Sequence, residues 1–371
     1  MLKTTDRYLL RSFIINYVLA LFVMISLYVT LHLFVNIDEF TEPDEITDVV
    51  PSIARVARNM ASYYGYNLLL YFSQLSGVIT LFAAALTLAR MQRTNEMTAL
   101  LASGWSMYRI AVPIVAAGLL LNALWVLDQE VLMPKAAHKL ARPTDDVEGR
   151  RVYGVWCLHD GPGRLLSARR FYPRSLTLAN MMVLERDADG MLTGVITADA
   201  AHWDASRQGW VLNRGRHRQP GRESFDDFAV DEVNRPDTVT FHPSELNPDE
   251  ILLRQSVQWL QFLSVSQLTE LQQRGVVNAT QVAQVRHMRF TAPINNMLLL
   301  LLGIVFFLHR EPGSVIVQGG KAVALCATCF IIAFMGQNLV GSFDVPTALP
   351  AWLPILLFAP LCAWLYEALR T

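Results

Sequence analysis

The residues that could do chemistry argue mostly against an enzyme. Residues 313–321 read Gly-Ser-Val-Ile-Val-Gln-Gly-Gly-Lys and end in the Gly-Lys pair of a phosphate-binding loop. Such a loop needs a glycine five positions before its last one, so that backbone N–H groups can wrap the phosphates, and a Ser or Thr after the lysine to hold magnesium. Val315 and Ala322 stand there instead, so the chain has no recognisable ATP site and any use of ATP needs another subunit. Cys326 and Cys329 have the spacing of a redox or metal pair. They lie in an apolar stretch without a βαβ context, where small residues serve close helix packing. Cys157 is isolated and Cys362 lies in another apolar stretch, so no disulfide framework is expected. The eight histidines are scattered, and none pairs at metal-ligand spacing. There is no Gly-x-Ser-x-Gly elbow and no acid–base constellation. No catalytic residue, metal or cofactor is expected.

The composition explains why. Of 371 residues, 53% are hydrophobic and only 17% charged, below the roughly 25% usual in soluble domains. Apolar stretches near 20 residues recur, the length of a membrane-spanning helix. The net charge of −1 gives no case for nucleic-acid binding. Hydropathy predicts six spans: Phe13 to Val35, Tyr64 to Leu88, Ile110 to Leu127, Phe290 to Leu308, Ala322 to Val340 and Trp352 to Tyr366. The first run exceeds a signal-peptide core and reads as a retained span. An acidic segment (Asp38, Glu39, Glu42, Asp44, Glu45, Asp48) follows it, and helical spacing from Pro51 to Ala61 predicts a short interfacial helix. Polar residues within the spans, among them Asn67, Gln74, Asn122, Asn295 and Asn296, suit hydrogen bonds between helices. No charged residue is expected deep in any span, which disfavours an ion-coupled transporter.

Residues 128–263 are different material. Alternating segments at 151–158, 164–171, 176–185, 191–201 and 210–214 are separated by turn chemistry such as Asp160-Gly-Pro-Gly163 and Asp187-Ala-Asp-Gly190. This predicts an antiparallel β-sandwich or jelly roll. Residues 214–234 resist assignment strand by strand. Ser264 and Gln267 have capping-box spacing and open a linker helix ending near Gly275. Domains of 1–127, 128–263 and 264–371 result. Short loops on one side carry Lys3, Arg7, Arg11, Arg90, Arg93, Arg109, Arg310, Lys321 and Arg370, against only Arg55 and Arg58 on the other. The positive-inside rule then puts both termini in the cytoplasm and the β-domain, between the third and fourth spans, in the periplasm.

One short stretch, residues 90–105, is too polar to span. Asn95 is the expected N-cap, its side chain accepting a backbone N–H. Glu96 suits the positive end of the helix dipole. Met97, Leu100 and Leu101 form one apolar face, and Gly104 supplies the left-handed residue that ends the helix. Such a helix between two spans can be pushed by a soluble partner, or it can be an ordinary amphipathic connector.

Several stretches resemble the LptF/LptG permease family, which exports lipopolysaccharide. They are Asp6-Arg-Tyr-Leu9, Arg93-Thr-Asn-Glu96 through Ala99 and Ala102-Ser-Gly104, Gln129-Glu-Val-Leu-Met-Pro134, Ala198 to Ala201 with Trp210-Val-Leu, Arg289-Phe-Thr-Ala-Pro293, and Leu349-Pro-Ala-Trp-Leu-Pro354. The first span and the linker after the β-domain look more like LptG. The resemblance implies a non-catalytic permease subunit in the inner membrane. Its partners would be a second permease (LptF-like), an LptB-like ABC ATPase dimer and periplasmic LptC/LptA-like jelly-roll proteins. Arg93, Asn95, Glu96, Met97, Ala99, Leu100, Leu101 and Gly104 would form the coupling helix to the ATPase. Lipid contacts would fall to His32 and Phe34 on the first span and to Phe330 and Phe334 on the fifth. Family members often carry basic residues near the outer end of the first span, whereas this chain is acidic there. The competing reading is a membrane-anchored sensor with a periplasmic binding domain.

Overall fold

A computed structural model describes residues 4–37, 53–140, 151–219, 237–256, 259–307, 315–339 and 346–368. Helix α1 is Thr4–Val35 and α2 is Ile53–Arg93. The short α3, Glu96–Ala102, leads into α4, Met107–Leu127. A π-helical turn, Asp128–Leu132, joins α4 to α5, Met133–Leu140. Eight strands follow: β1 Tyr153–His159, β2 Arg164–Tyr172, β3 Thr177–Arg186, β4 Leu192–Asp204, β5 Gly209–Asn213, β6 Arg216–Arg218, β7 Asp237–Thr238 and β8 Phe241–Pro243. The chain returns through α6 (Pro248–Gln255), a 3-10 turn (Trp259–Phe262) and α7 (Val265–Gln273) to α8 (Ala279–Phe307), α9 (Val315–Leu339) and α10 (Ala348–Ala368).

The expectation of six spans is corrected. Among the described residues five helices are long and apolar enough to cross a membrane: α1, residues 56–93 of α2, the continuous 107–137, α8 and α10. The fifth expected span, α9, is not one of them. A second correction concerns residues 53–61. They are not a separate interfacial helix but the first turns of the 41-residue α2. No proline interrupts that run, and its two glycines, Gly65 and Gly77, cost only about 1 kcal/mol each.

The main membrane core gathers Leu9 and Phe13 of α1, Ile79, Leu88 and Met91 of α2, Ile110 and Ile114 of α4, and Leu300, Ile304 and Phe307 of α8. Polar groups bind across it. Asn16 donates to Thr87 Oγ1 at 2.9 Å, and Asn122 donates to the Pro293 carbonyl at 3.0 Å. Asn67 instead bonds to the Tyr63 carbonyl of its own helix. Of the ionisable side chains inside the long helices, two pair with each other. Glu130, on the π turn, accepts from Arg289 of α8 at 3.0 Å. Arg289 also donates to the Gln261 carbonyl, and Glu130 accepts the first N–H of α7 at Val265.

The β-domain is an open antiparallel sheet, not the expected sandwich or jelly roll. Its strand order is β1-β2-β3-β4-β5-β8, with β6 on the other half of the long β4 and β7 on β6. The buried residues explain its curvature. Leu166 and Ala168, Val183 and Met181, and Ile196 and Ala198 alternate regularly, then each strand changes face before Phe171, Leu178 and Ala201. These columns are in register: Ala168 pairs Met181, which pairs Ala198, and Phe171 pairs Leu178, which pairs Ala201. The irregular positions, including Asn180 at φ 51° and Cys157 at φ 48°, lie along one line across the strands, where the sheet turns its other face to the core while the β2–β3–β4 register runs on unbroken. Leu246, Ile251 and Leu252, around α6, cover the core face where a sandwich would place a second sheet.

The ends of the curved sheet meet through side chains instead of a ladder. Asp160, in the β1–β2 turn, is fully buried. Its Oδ1 accepts from Ser244 Oγ at 2.7 Å and from the N–H groups of Glu245 and Leu246 at 2.8 and 3.2 Å, and its Oδ2 bonds His242 Nε2 at 2.8 Å. Burial pushes the carboxyl pKa up, but the bonds from His242, Ser244 and Leu246 outweigh it and hold Asp160 below its ordinary value. A depressed folded pKa stabilises the fold fully above the unfolded value near 4, and that contribution is lost as pH falls through the folded value. Asp160→Ala removes the acceptor of four donors and should destabilise the β-domain by about 3 kcal/mol. Limited proteolysis of the full chain in increasing urea would show it as earlier cleavage within residues 151–256. Between pH 5 and pH 2 the resistance of wild type should fall further than that of the variant.

Candidate functional site

Helix α3 sits between α2 and α4 at the end where Arg90, Arg93 and Arg109 cluster. The chain reverses into it at Asn95. That residue does hold the N-cap position, but not in the expected way: its backbone is left-handed (φ 59°) and its side chain makes no capping bond. Asn is the side chain that best tolerates this conformation after Gly. The other end is as expected. Gly104 has φ 84°, its N–H reaches the Leu101 carbonyl at 3.0 Å, and the Trp105 N–H reaches the Leu100 carbonyl at 3.1 Å. This paired closure is the Schellman arrangement. Ser106 then caps α4 by accepting from the Arg109 N–H at 3.3 Å.

The two faces of α3 divide cleanly. Met97 is 4% exposed and belongs to the membrane core with Leu9, Phe13 and Met91. Leu100 and Leu101 pack against the same core, half-buried. The apolar face is thus used by this chain's own helices. Arg93, Asn95, Thr98, Ala99, Ala102 and Gly104 are exposed, giving an outer surface of mostly small side chains that another protein can approach closely. Glu96 lies between the faces, half-buried, and accepts a hydrogen bond from Tyr8 Oη of α1 at 2.8 Å. Tyr8 had no local signal beyond its place in the Asp6-Arg-Tyr-Leu9 motif, because its partner is 88 residues away.

The candidate lipid contacts do not form one site. His32 Nδ1 lies 3.2 Å from Tyr64 Oη, and its ring packs among those of Tyr28, Tyr63, Tyr64 and Tyr71. The cluster ties the outer end of α1 to α2. Phe34 is 84% exposed. Phe330 and Phe334 fall on α9, with their side chains outside the described residues, as are Asp38 and Glu39. Helix α1 presents a continuous apolar stripe instead, with Ile15, Leu19 and Phe22 all more than half exposed.

A cavity of about 240 Å³ lies between α2, α4, α8, α9 and α10, lined by Ser73, Trp125, Asn295, Asn296, Cys329 and Pro354 among others. Pockets for drug-sized ligands start at about 300 Å³. A lipid with several acyl chains does not fit inside this one. The sequence reading also missed α6, although Asn247-Pro-Asp-Glu250 carries its signal: Asn247 Oδ1 accepts the Glu250 N–H at 2.7 Å and Pro248 occupies the first turn. It missed the Glu130–Arg289 pair too, which no local spacing links.

A family model described as lipopolysaccharide export system permease LptF/LptG matches residues 7–368. No curated protein matches the chain. The match covers nearly all of the sequence, and the chain belongs to the LptF/LptG family. The family description spans both permeases and gives no ground for preferring LptG. Members are non-catalytic permease subunits of an ABC transporter, and the long apolar helices agree with a multi-pass inner-membrane protein.

The left-handed Asn95 generates a prediction that separates backbone from side-chain capping. Asn95→Thr restores a cap-competent hydroxyl but puts a β-branched residue at positive φ, and should destabilise the α2–α3 joint by about 1–2 kcal/mol. Asn95→Gly should be neutral. Protease cleavage between Arg93 and Arg109 in detergent-solubilised protein measures both.

Proposed function

We propose that this chain is one of two paired permeases that lift lipopolysaccharide out of the inner membrane, and that α3 is its coupling helix to the ATPase. The observation that carries this reading is the construction of α3. A seven-residue helix is far too short to be stable alone, yet it is held between two spans by Met97 on one side and leaves a small-residue face on the other. Such an element transmits a push without changing its own shape.

In this mechanism the ATPase dimer docks beneath Arg93, Asn95, Ala99 and Gly104, and Glu96 makes the charged contact. Nucleotide binding displaces α3 toward the membrane core through Met97, Leu100 and Leu101. The exposed stripe of α1, facing the second permease, lines a shared cavity, and its closure drives the acyl chains outward. Support comes from the stripe itself and from a cavity within this chain too small for the cargo. His32, Phe34, Phe330 and Phe334 are proposed as lipid contacts at the rim and wall of that shared cavity. The chain is oriented with its N-terminus and α3 in the cytoplasm and the sheet in the periplasm, in agreement with its Lys/Arg distribution. There the open sheet offers edges to LptC/LptA-like proteins for strand pairing.

The test is ATP-driven release of lipopolysaccharide from the complex of both permeases and the ATPase, reconstituted in lipid nanodiscs. Glu96→Lys reverses the charge at the contact and should lower release at least tenfold, while the chain remains inserted and as protease-resistant as wild type. Release at the wild-type rate would remove Glu96 from the mechanism and favour a sensor role for the β-domain.

A further inference from the structure

We infer that Tyr8 is a positioning residue, the link through which the coupling helix acts on the first membrane helix; this deepens the reading of α3 given above. Helix α3 is joined by the chain to α2 and α4 only, through joints that each contain a left-handed residue, Asn95 and Gly104. Its grip on α1 is entirely tertiary and has two parts. Met97 packs beside Leu9 and Phe13 on the inside. At the rim, Tyr8 Oη donates to Glu96 Oε2 at 2.8 Å.

The two contacts differ in what they can transmit. Apolar packing resists compression but slides, because dispersion has no preferred direction. A hydroxyl–carboxylate hydrogen bond is directional and charge-assisted. Together they fix α3 against α1 in rotation as well as distance. The carboxylate geometry suits a relay, because Glu96 spends Oε2 on Tyr8 and has a second oxygen to offer outward to a cation of the ATPase. Moving Glu96 from below then pulls on Tyr8.

Helix α1 is built to respond. Its fully buried residues are Leu9, Phe13, Asn16, Tyr17 and Ala20, all in the half nearest Tyr8. From Ala20 to Val35 it runs for about 22 Å with no fully buried residue. Tyr8 shares a helix face with Ile15, Leu19 and Phe22, which lie 7, 11 and 14 positions on. A small rotation at the held end therefore re-aims the exposed apolar stripe along the rest of the helix.

The experiment uses the complex of both permeases and the ATPase in nanodiscs loaded with lipopolysaccharide. It measures complex assembly, the KM for ATP, and lipopolysaccharide released per ATP hydrolysed for Tyr8→Phe, Glu96→Gln, the double variant and Glu96→Lys. Tyr8→Phe, which removes one hydroxyl, should assemble normally, keep its KM, and release at least threefold less lipopolysaccharide per ATP. The double variant should be no worse than Glu96→Gln alone, since both act through one bond. A wild-type ratio in Tyr8→Phe, with Glu96→Lys inactive, overturns the role of Tyr8 and leaves the coupling helix standing. Wild-type release in Glu96→Lys as well overturns the coupling reading itself. Loss of assembly in Tyr8→Phe, or additive losses in the double variant, shows a structural role and also overturns the proposal.

Discussion

The two connections between the membrane bundle and the β-domain are fastened to each other at the ion pair between Glu130 and Arg289. Arg289 is almost fully buried and Glu130 about two-thirds so, and such a pair offers little net stabilisation over an apolar one. What it supplies is position. Either charge left alone there would be costly to bury, so the π turn after α4 and the start of α8 must stay in contact. The same two side chains also take up the Gln261 carbonyl and the Val265 N–H. Four separate pieces of chain are thereby fixed at one point, where the connection from the sheet re-enters the bundle. The π turn is part of the arrangement, since an extra residue per turn re-aims the helix face that carries Glu130.

Against that fixed point α1 is the weakly held element. Most of its apolar side chains face outward, and it is tied to the bundle at three heights by three kinds of contact. Tyr8 meets Glu96 at the inner end, Asn16 meets Thr87 further along, and His32 meets Tyr64 at the outer end. In lipid the exposed stripe loses nothing by staying exposed, because acyl chains are as apolar as its side chains. The helix can therefore exchange one apolar neighbour for another at low cost.

The sheet shows a related economy. Instead of closing by hydrogen-bond ladders, it fastens its ends through Asp160. A closed barrel would have no edges; this sheet keeps edges while its core face is covered by the Leu246–Leu252 segment.

How much of this was legible in sequence follows from range. Apolar runs, the turns at Asp160-Gly-Pro-Gly163 and Asp187-Ala-Asp-Gly190, the capping box at Ser264 and Gln267 and the stop at Gly104 each depend on neighbours within a few residues, and composition states them directly. The extent of α2 was not settled that way, because helical spacing from Pro51 to Ala61 does not state that the helix runs on unbroken to Arg93. Nor was the closure of the sheet, because strands announce themselves locally while their curvature depends on where irregular positions line up across the sheet. Asn95 shows the boundary within one residue: its type marked a helix start, but the direction of the incoming chain decided that its backbone, not its side chain, makes the cap. The partners of Glu96, Glu130 and Asp160 are 88, 159 and 82–86 residues away. Charge and polarity in the sequence determined that each needed a partner. Only the tertiary structure decided which, because no periodicity reaches across separate elements.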